Sequence, residues 1–180
     1  MTDDEILDAI RMRILDGRPT DLDDRMSPPG PVSDELIAEA EQVVGYPLPR
    51  LLRRIYGEIA NGGIGPFGGV EGLPGGHSSD GINMLDLYIG CRRAEIDPDE
   101  PPPPPVGVLF FCDFGCAMWS LLDCRHHQGQ MWWWEEGNRN KLDLTLPEWL
   151  SAWLAGDIKD VREKRELMLA EESWNRPEDD

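Results

Sequence analysis

The sequence predicts an α+β domain, on three observations. Apolar residues recur at helical spacing before residue 60 and again after residue 145. Between residues 106 and 136 three short runs read as strands, and the turns between them suit an antiparallel meander. With 180 residues, 40% of them hydrophobic and seven of them tryptophan, the chain has one domain's length and enough apolar material for a core. It contains no internal repeat.

Asp3 to Asp16 is the first expected helix, with Ile6, Leu7, Ile10, Ile14 and Leu15 on one face and Gly17 as its stop. Residues 18–31, with Pro19, Pro28, Pro29 and several aspartates, lack periodicity and read as an exposed connection free to move. Ser33 should cap a second helix, with Asp34 and Glu35 at the positive end of its dipole. Leu36, Ile37, Ala40, Val43 and Val44 would turn inward, and Gly45 would stop it. Pro49 opens a third helix whose buried stripe is Leu51, Leu52, Ile55, Tyr56 and Ile59. From Gly62 to Gly76, eight of fifteen positions are glycine, with Pro66 and Pro74 among them. Only short extended pieces such as Gly69–Leu73 fit there.

Ile82–Arg93 satisfies neither period cleanly and reads as helix in preference to strand. Six prolines in residues 98–105 predict an extended, polyproline-like spacer. Val106–Cys112, Ala117–Asp123 and Gln130–Glu136 are the strands, joined by turns at Asp113–Gly115 and Arg125–Gly129. Thr145 then caps a helix with Pro147 in its first turn and Leu146, Trp149, Leu150, Trp153 and Leu154 inward, ending at Gly156. A charged helix is expected over residues 159–173, followed by a frayed tail.

Charge narrows the function. The formal net charge is -18, and the excess is spread along the chain: eight acids against four bases in residues 1–25, seven against two in 71–100, nine against five in 157–180. Such a surface repels phosphate backbones and anionic lipid heads, which argues against direct nucleic-acid or membrane binding and for a basic protein partner. High net charge also serves solubility alone. Thr2, Asp3, Asp4 and Glu5 are the opposite of a basic leader, and no apolar run approaches the ~20 residues of a membrane span. Cys91, Cys112, Cys116 and Cys124 are too few and irregular for a disulfide scaffold; reduced thiols in a cytoplasm fit best.

No catalytic set emerges. Cys112, Cys116, Cys124, His126 and His127 offer zinc-type ligands, but the cysteines are not paired at knuckle spacing, and buried thiols beside turn histidines account for them. A thiolate–imidazole pair lacks any accompanying nucleophile motif. Paired carboxylates such as Glu135 with Glu136, or Asp21 with Asp23 and Asp24, are uninformative in so acidic a chain. The glycine segment lacks the lysine and hydroxyl of a phosphate-cradling loop. No cofactor or metal is expected. Trp132, Trp133 and Trp134 stand out: on a strand Trp133 points away from the other two, so either the sheet is packed on both sides or tryptophan is displayed outside the core. Displayed tryptophan beside acids would suit an interface anchor.

Residues 38–76 carry a family resemblance. AEAEQVVGYPL (38–48), PRLLRRIYGEIANGG (49–63) and IGPFGGVEGLPGG (64–76) resemble the SUKH superfamily of the Smi/Knr type: a helix ending in Gly, a Leu-Pro pair opening the next, Leu-Arg-Arg-x-Tyr along it, Ala-Asn-Gly-Gly, and a Gly-Pro step into a short strand. FGCAMWSLLDC (114–124), Met131 with Trp132, and PEWLSAW (147–153) resemble its strand pair, Trp-containing strand and closing helix. The resemblance implies an α+β fold with a central, largely antiparallel sheet flanked by helices. It also implies proteins that neutralise toxins, many of them nucleases, or that regulate fungal cell-wall assembly. Residues 1–31 are then an N-terminal helix and connection, 32–156 the SUKH-like domain, and 157–180 a charged helix and tail.

The resulting expectation is a non-catalytic, cytoplasmic immunity protein that occludes a basic toxin domain. Its expected contacts are Asp113, Trp119, Asp123, Trp133, Glu135 and Glu136. Asn61, Gly62, Gly63, Gly65 and Pro66 are expected to shape a backbone turn. The alternatives are a scaffold or regulator binding an endogenous protein through the proline run and charged termini, and a thiol or zinc enzyme. Nothing in the sequence sets an oligomeric state.

Overall fold

The computed structural model describes residues 1–22, 27–94, 102–135 and 138–158. Four strands, β1 (Val108–Asp113), β2 (Met118–Asp123), β3 (Gln130–Glu135) and β4 (Asn138–Thr145), form an antiparallel meander in the order β1-β2-β3-β4. Among the described residues there are five helices: α1 (Asp3–Leu15), α2 (Asp34–Val44), α3 (Arg50–Glu58), α4 (Met84–Arg93) and α5 (Leu146–Leu154). The fold is α+β, as the sequence predicts, with one strand more than the three expected.

Local chemistry explains the helix starts. Thr2 Oγ accepts from the Glu5 N–H while the Glu5 carboxylate accepts from the Thr2 N–H, a capping box for α1. Ser33 Oγ accepts from the Leu36 N–H, and Asn83 Oδ1 from the N–H groups of Leu85 and Asp86. At α5 the Glu148 carboxylate reaches back to the N–H and hydroxyl of Thr145.

The buried side chains of all five helices join one cluster with one face of the sheet. Ile6, Leu7 and Ile10 of α1 are 0% exposed in it, so this helix belongs to the core. Arg54 of α3 holds Asp4 at 2.7 Å and Arg11 of α1 holds Glu58 at 3.2 Å across the same contact. Phe111 is the extra residue of a β1 bulge, since Phe110 pairs with Leu121 and Cys112 with Ser120; Phe111 and Cys112 are both buried in the cluster.

Several expectations are corrected. Leu15 and Val43, expected inside, are 79% and 44% exposed: each sits at the frayed edge of its helix stripe. The connection after α1 is not a free loop. Pro19 and Thr20 are buried, the Pro19 carbonyl accepts from the Gly65 N–H, and the Asn61 N–H reaches the carbonyls of Pro29 and Gly30. At the end of the expected spacer, Pro104 is buried and its carbonyl accepts from Arg92, whose guanidinium lies 5.6 Å from the Tyr88 ring centroid. Strand β4 was not expected at all. Only Leu142 and Leu144 alternate within its polar sequence, and the Gln130 side-chain amide donates to both of their carbonyls. The expected helix over 159–173 lies outside the described residues.

Candidate partner-binding surface

Pleat alternation sends Trp133 to one face of the sheet and Trp132 and Trp134 to the other. Trp133 is 0% exposed in the helix-covered core, its ring 5.3 Å from that of Phe114 and its Nε1–H donating to Glu135 Oε2 at 3.3 Å. It was expected at the contact surface and is instead a core residue. The opposite face carries a second cluster built from strand residues alone: Val108, Leu121 and Trp132 buried, with Phe110, Trp119 and Trp134 half-buried against them. Trp119 lies opposite Trp134 in the register, and the Phe110 ring meets both edge-on, at 5.2 and 6.0 Å.

Asp123 is the second correction. Its side chain is 8% exposed and is spent on Arg125, which it holds at 2.6 and 2.9 Å while accepting the Arg125 N–H. The pair closes the β2–β3 turn. Asp113 and Glu135 stand at the other end of the sheet, beside the β1–β2 turn, where Asp113 Oδ1 accepts the Gly115 N–H at 2.7 Å. Glu136 lies outside the described residues.

The glycine segment is laid along the free edge of β1. Val70 bridges to Cys112, and the Glu71 N–H donates to the Phe111 carbonyl at 2.8 Å. Asn61, 2% exposed, braces it from within: Oδ1 accepts the Leu73 N–H at 2.8 Å and Nδ2 donates to the Leu73 carbonyl at 3.2 Å. Gly62, at φ +79°, lies so close to the returning chain that a Cβ would stand 2.7 Å from the Val70 carbonyl oxygen. The Gly63 N–H donates to that same oxygen, the Gly65 N–H to Pro19, and the Pro66 carbonyl accepts from Gly69.

Two surface residues here were not expected from the sequence. Phe67 is 38% exposed and Leu22 43%, and the Phe67 carbonyl accepts the N–H groups of both Asp21 and Leu22. An aromatic residue inside a glycine run was the available signal. In the same segment Glu71 is a buried carboxyl that accepts from the N–H and hydroxyl of Ser79. Burial pushes it above its ordinary range; the Ser79 hydrogen bonds oppose that shift, and the carboxylates of Asp113 and Asp80 add to it.

The cysteine–histidine group does not converge. Cys112 and Cys124 are buried in the core and burial pushes both thiols up, Cys116 is exposed on the β1–β2 turn, and Cys91 is half-buried on α4. His126 and His127 sit together on the β2–β3 turn with ring centroids 4.8 Å apart. Among the described residues no group of three His, Cys, Asp or Glu side chains is placed to hold a metal ion. No helix of these residues is long and apolar enough to cross a membrane.

A four-stranded meander, helices on one of its faces and a glycine-rich segment along its first edge define a small α+β domain. The chain belongs to the SMI1 / KNR4 family (SUKH-1), whose model matches residues 31–152. The family includes toxin-immunity proteins and Knr4-like regulators, is generally non-catalytic, and has members that bind protein partners such as toxins. No curated protein and no solved structure matches the chain significantly.

Proposed function

We propose that this chain is an immunity protein that neutralises a basic toxin domain, of the nuclease kind, by covering it with an acidic surface. The observation that carries the reading is the disposition of charge. The net charge is -18, and five of the arginines are held in ion pairs with the chain's own carboxylates: Arg11 with Asp8 and Glu58, Arg13 with Asp21, Arg53 with Glu41, Arg54 with Asp4 and Glu58, Arg125 with Asp123. The excess of acid over base makes the outward field negative, and a cationic partner is its natural complement. Family membership supports toxin binding as the use of that field.

The test pairs the chain with a basic nuclease toxin domain, taken from a neighbouring gene where one is encoded. Co-expression should restore growth, and the association rate should fall steeply as ionic strength rises, because steering between opposite charges is screened. Failure to bind or to restore growth would refute the function. Association equally fast at low and high salt would refute its electrostatic basis.

A further inference from the structure

Three segments far apart in sequence meet at the end of the sheet that holds the β1–β2 turn: residues 19–22, the glycine loop 62–69, and residues 113–118. Phe67, Cys116 and Ala117 are the non-glycine residues with positive φ among those described, at +51°, +52° and +60°, and all three are in this region. Left-handed backbone disfavours side chains with a Cβ, and such strain collects where a protein binds. In the loop the cost is borne by Phe67, which has Gly65, Gly68 and Gly69 beside it and still puts an aromatic ring at the surface.

The ring is supported from below and flanked at one side. It stacks on Phe114 with centroids 5.9 Å apart, and Phe114 in turn meets core Trp133. Leu22 lies over Gly68, whose Cβ position would be 3.7 Å from the Leu22 Cδ1. Behind Gly68 is a cavity of about 290 Å³ walled by Gly63, Gly76, His77 and Pro28. Exposed apolar residues beside a side-chain-sized cavity are the usual anatomy of an interface anchor.

The surroundings are anionic. The Cys112 thiol, which contacts the carbonyls of Pro66 and Gly69, lies within the field of Glu71, Asp113 and Asp21. Asp21 shares its charge with Arg13 at 3.1 Å.

We infer that Phe67 and Leu22 form the apolar anchor of the partner-binding surface, and that they receive an apolar side chain carried on a cationic polypeptide segment. The inference rests on the proposed reading of a cationic protein partner and locates its contact. Glycine at residue 67 would hold the same backbone at less cost, so the ring is the part of Phe67 that does the binding.

The probe is a labelled lysine-rich peptide of about a dozen residues with one central phenylalanine, compared with the same peptide carrying serine there. Fluorescence anisotropy with the full chain at low salt should show the phenylalanine peptide binding about tenfold more tightly, the usual scale of one buried anchor. Phe67→Gly and Leu22→Ser should each abolish that difference while leaving the serine peptide's salt-sensitive binding and the urea midpoint unchanged. Equal binding of both peptides, or a difference that survives Phe67→Gly, would overturn the anchor and leave the cationic-partner reading intact. A difference lost only in variants with a lowered urea midpoint would assign the ring to folding and also overturn the proposal. No salt-sensitive binding of either peptide would overturn both readings.

Discussion

Asn61→Ala should measure what holds the glycine segment against β1. The Asn61 amide satisfies both backbone groups of Leu73, at 2.8 and 3.2 Å, and Leu73 is 0% exposed. Alanine leaves the buried Leu73 N–H without a partner, at about 1–3 kcal/mol, while the Leu73 carbonyl loses one bond, worth about 0.5–1.5 kcal/mol, and keeps the Gly76 N–H at 2.8 Å. The expected loss is therefore about 1.5–4.5 kcal/mol, a large share of the ~5–15 kcal/mol that holds a domain of this size. Urea unfolding, followed by circular dichroism and by tryptophan fluorescence, gives the difference directly if the two probes coincide and the slope is unchanged. Asn83→Ala is the control: it removes a half-buried helix cap and should cost only about 1 kcal/mol. A loss at Asn61 no greater than at Asn83 would refute the bracing role.

Two further outcomes follow from the site. Trp133→Ala empties a fully buried position and should cost about 3–5 kcal/mol in the same assay, whereas Trp119→Ala, on the half-exposed cluster, should cost less than half as much; equal losses would refute the assignment of the two faces. Glu71 sets a pH dependence. Its carboxyl is raised above the ordinary value of 4.5, so the folded state binds more protons than the unfolded one, and stability falls as pH rises from about 4.5 through the raised folded value. Glu71→Gln keeps an acceptor for Ser79 and removes the titration, so the variant should lose less stability than the parent over that interval. Parallel pH profiles would show that Glu71 is not raised.

The helices were legible because each signal is local. Ser33 and Thr145 mark two starts within one turn and Gly45 marks a stop, where the backbone indeed turns left-handed at φ +82°; the caps at Thr2 with Glu5 and at Asn83 are equally local signals but were not anticipated. The meander was legible from three apolar runs. Strand β4 was not, because an edge strand buries little: Leu142 and Leu144 are its only apolar residues, and its place is fixed by pairing with β3 and by the distant Gln130 side chain. The tryptophan run told which rings oppose each other but not which face the helices would take. That choice follows from Leu109, Leu122 and Met131, which share the helix-covered cluster with Trp133. Asp123 looked like any other surface acid until Arg125, two residues on, folded back across it.

Phe67 was illegible for a different reason: its exposure is created by other segments. The Ala60–Pro66 stretch that precedes it is buried, and so are Gly69 and Val70 after it, because the chain is pressed onto β1 and braced by Asn61. A loop so confined, with Val70 N–H bonded back to Ile64 and Gly69 N–H to Pro66, leaves one residue at its outward apex. Residues 21–22 then close over the Phe67 carbonyl from the far side. The bracing that Asn61 supplies and the display of Phe67 are thus one arrangement. Loosening the first should weaken partner binding through the second, even though Asn61 itself is buried away from any partner.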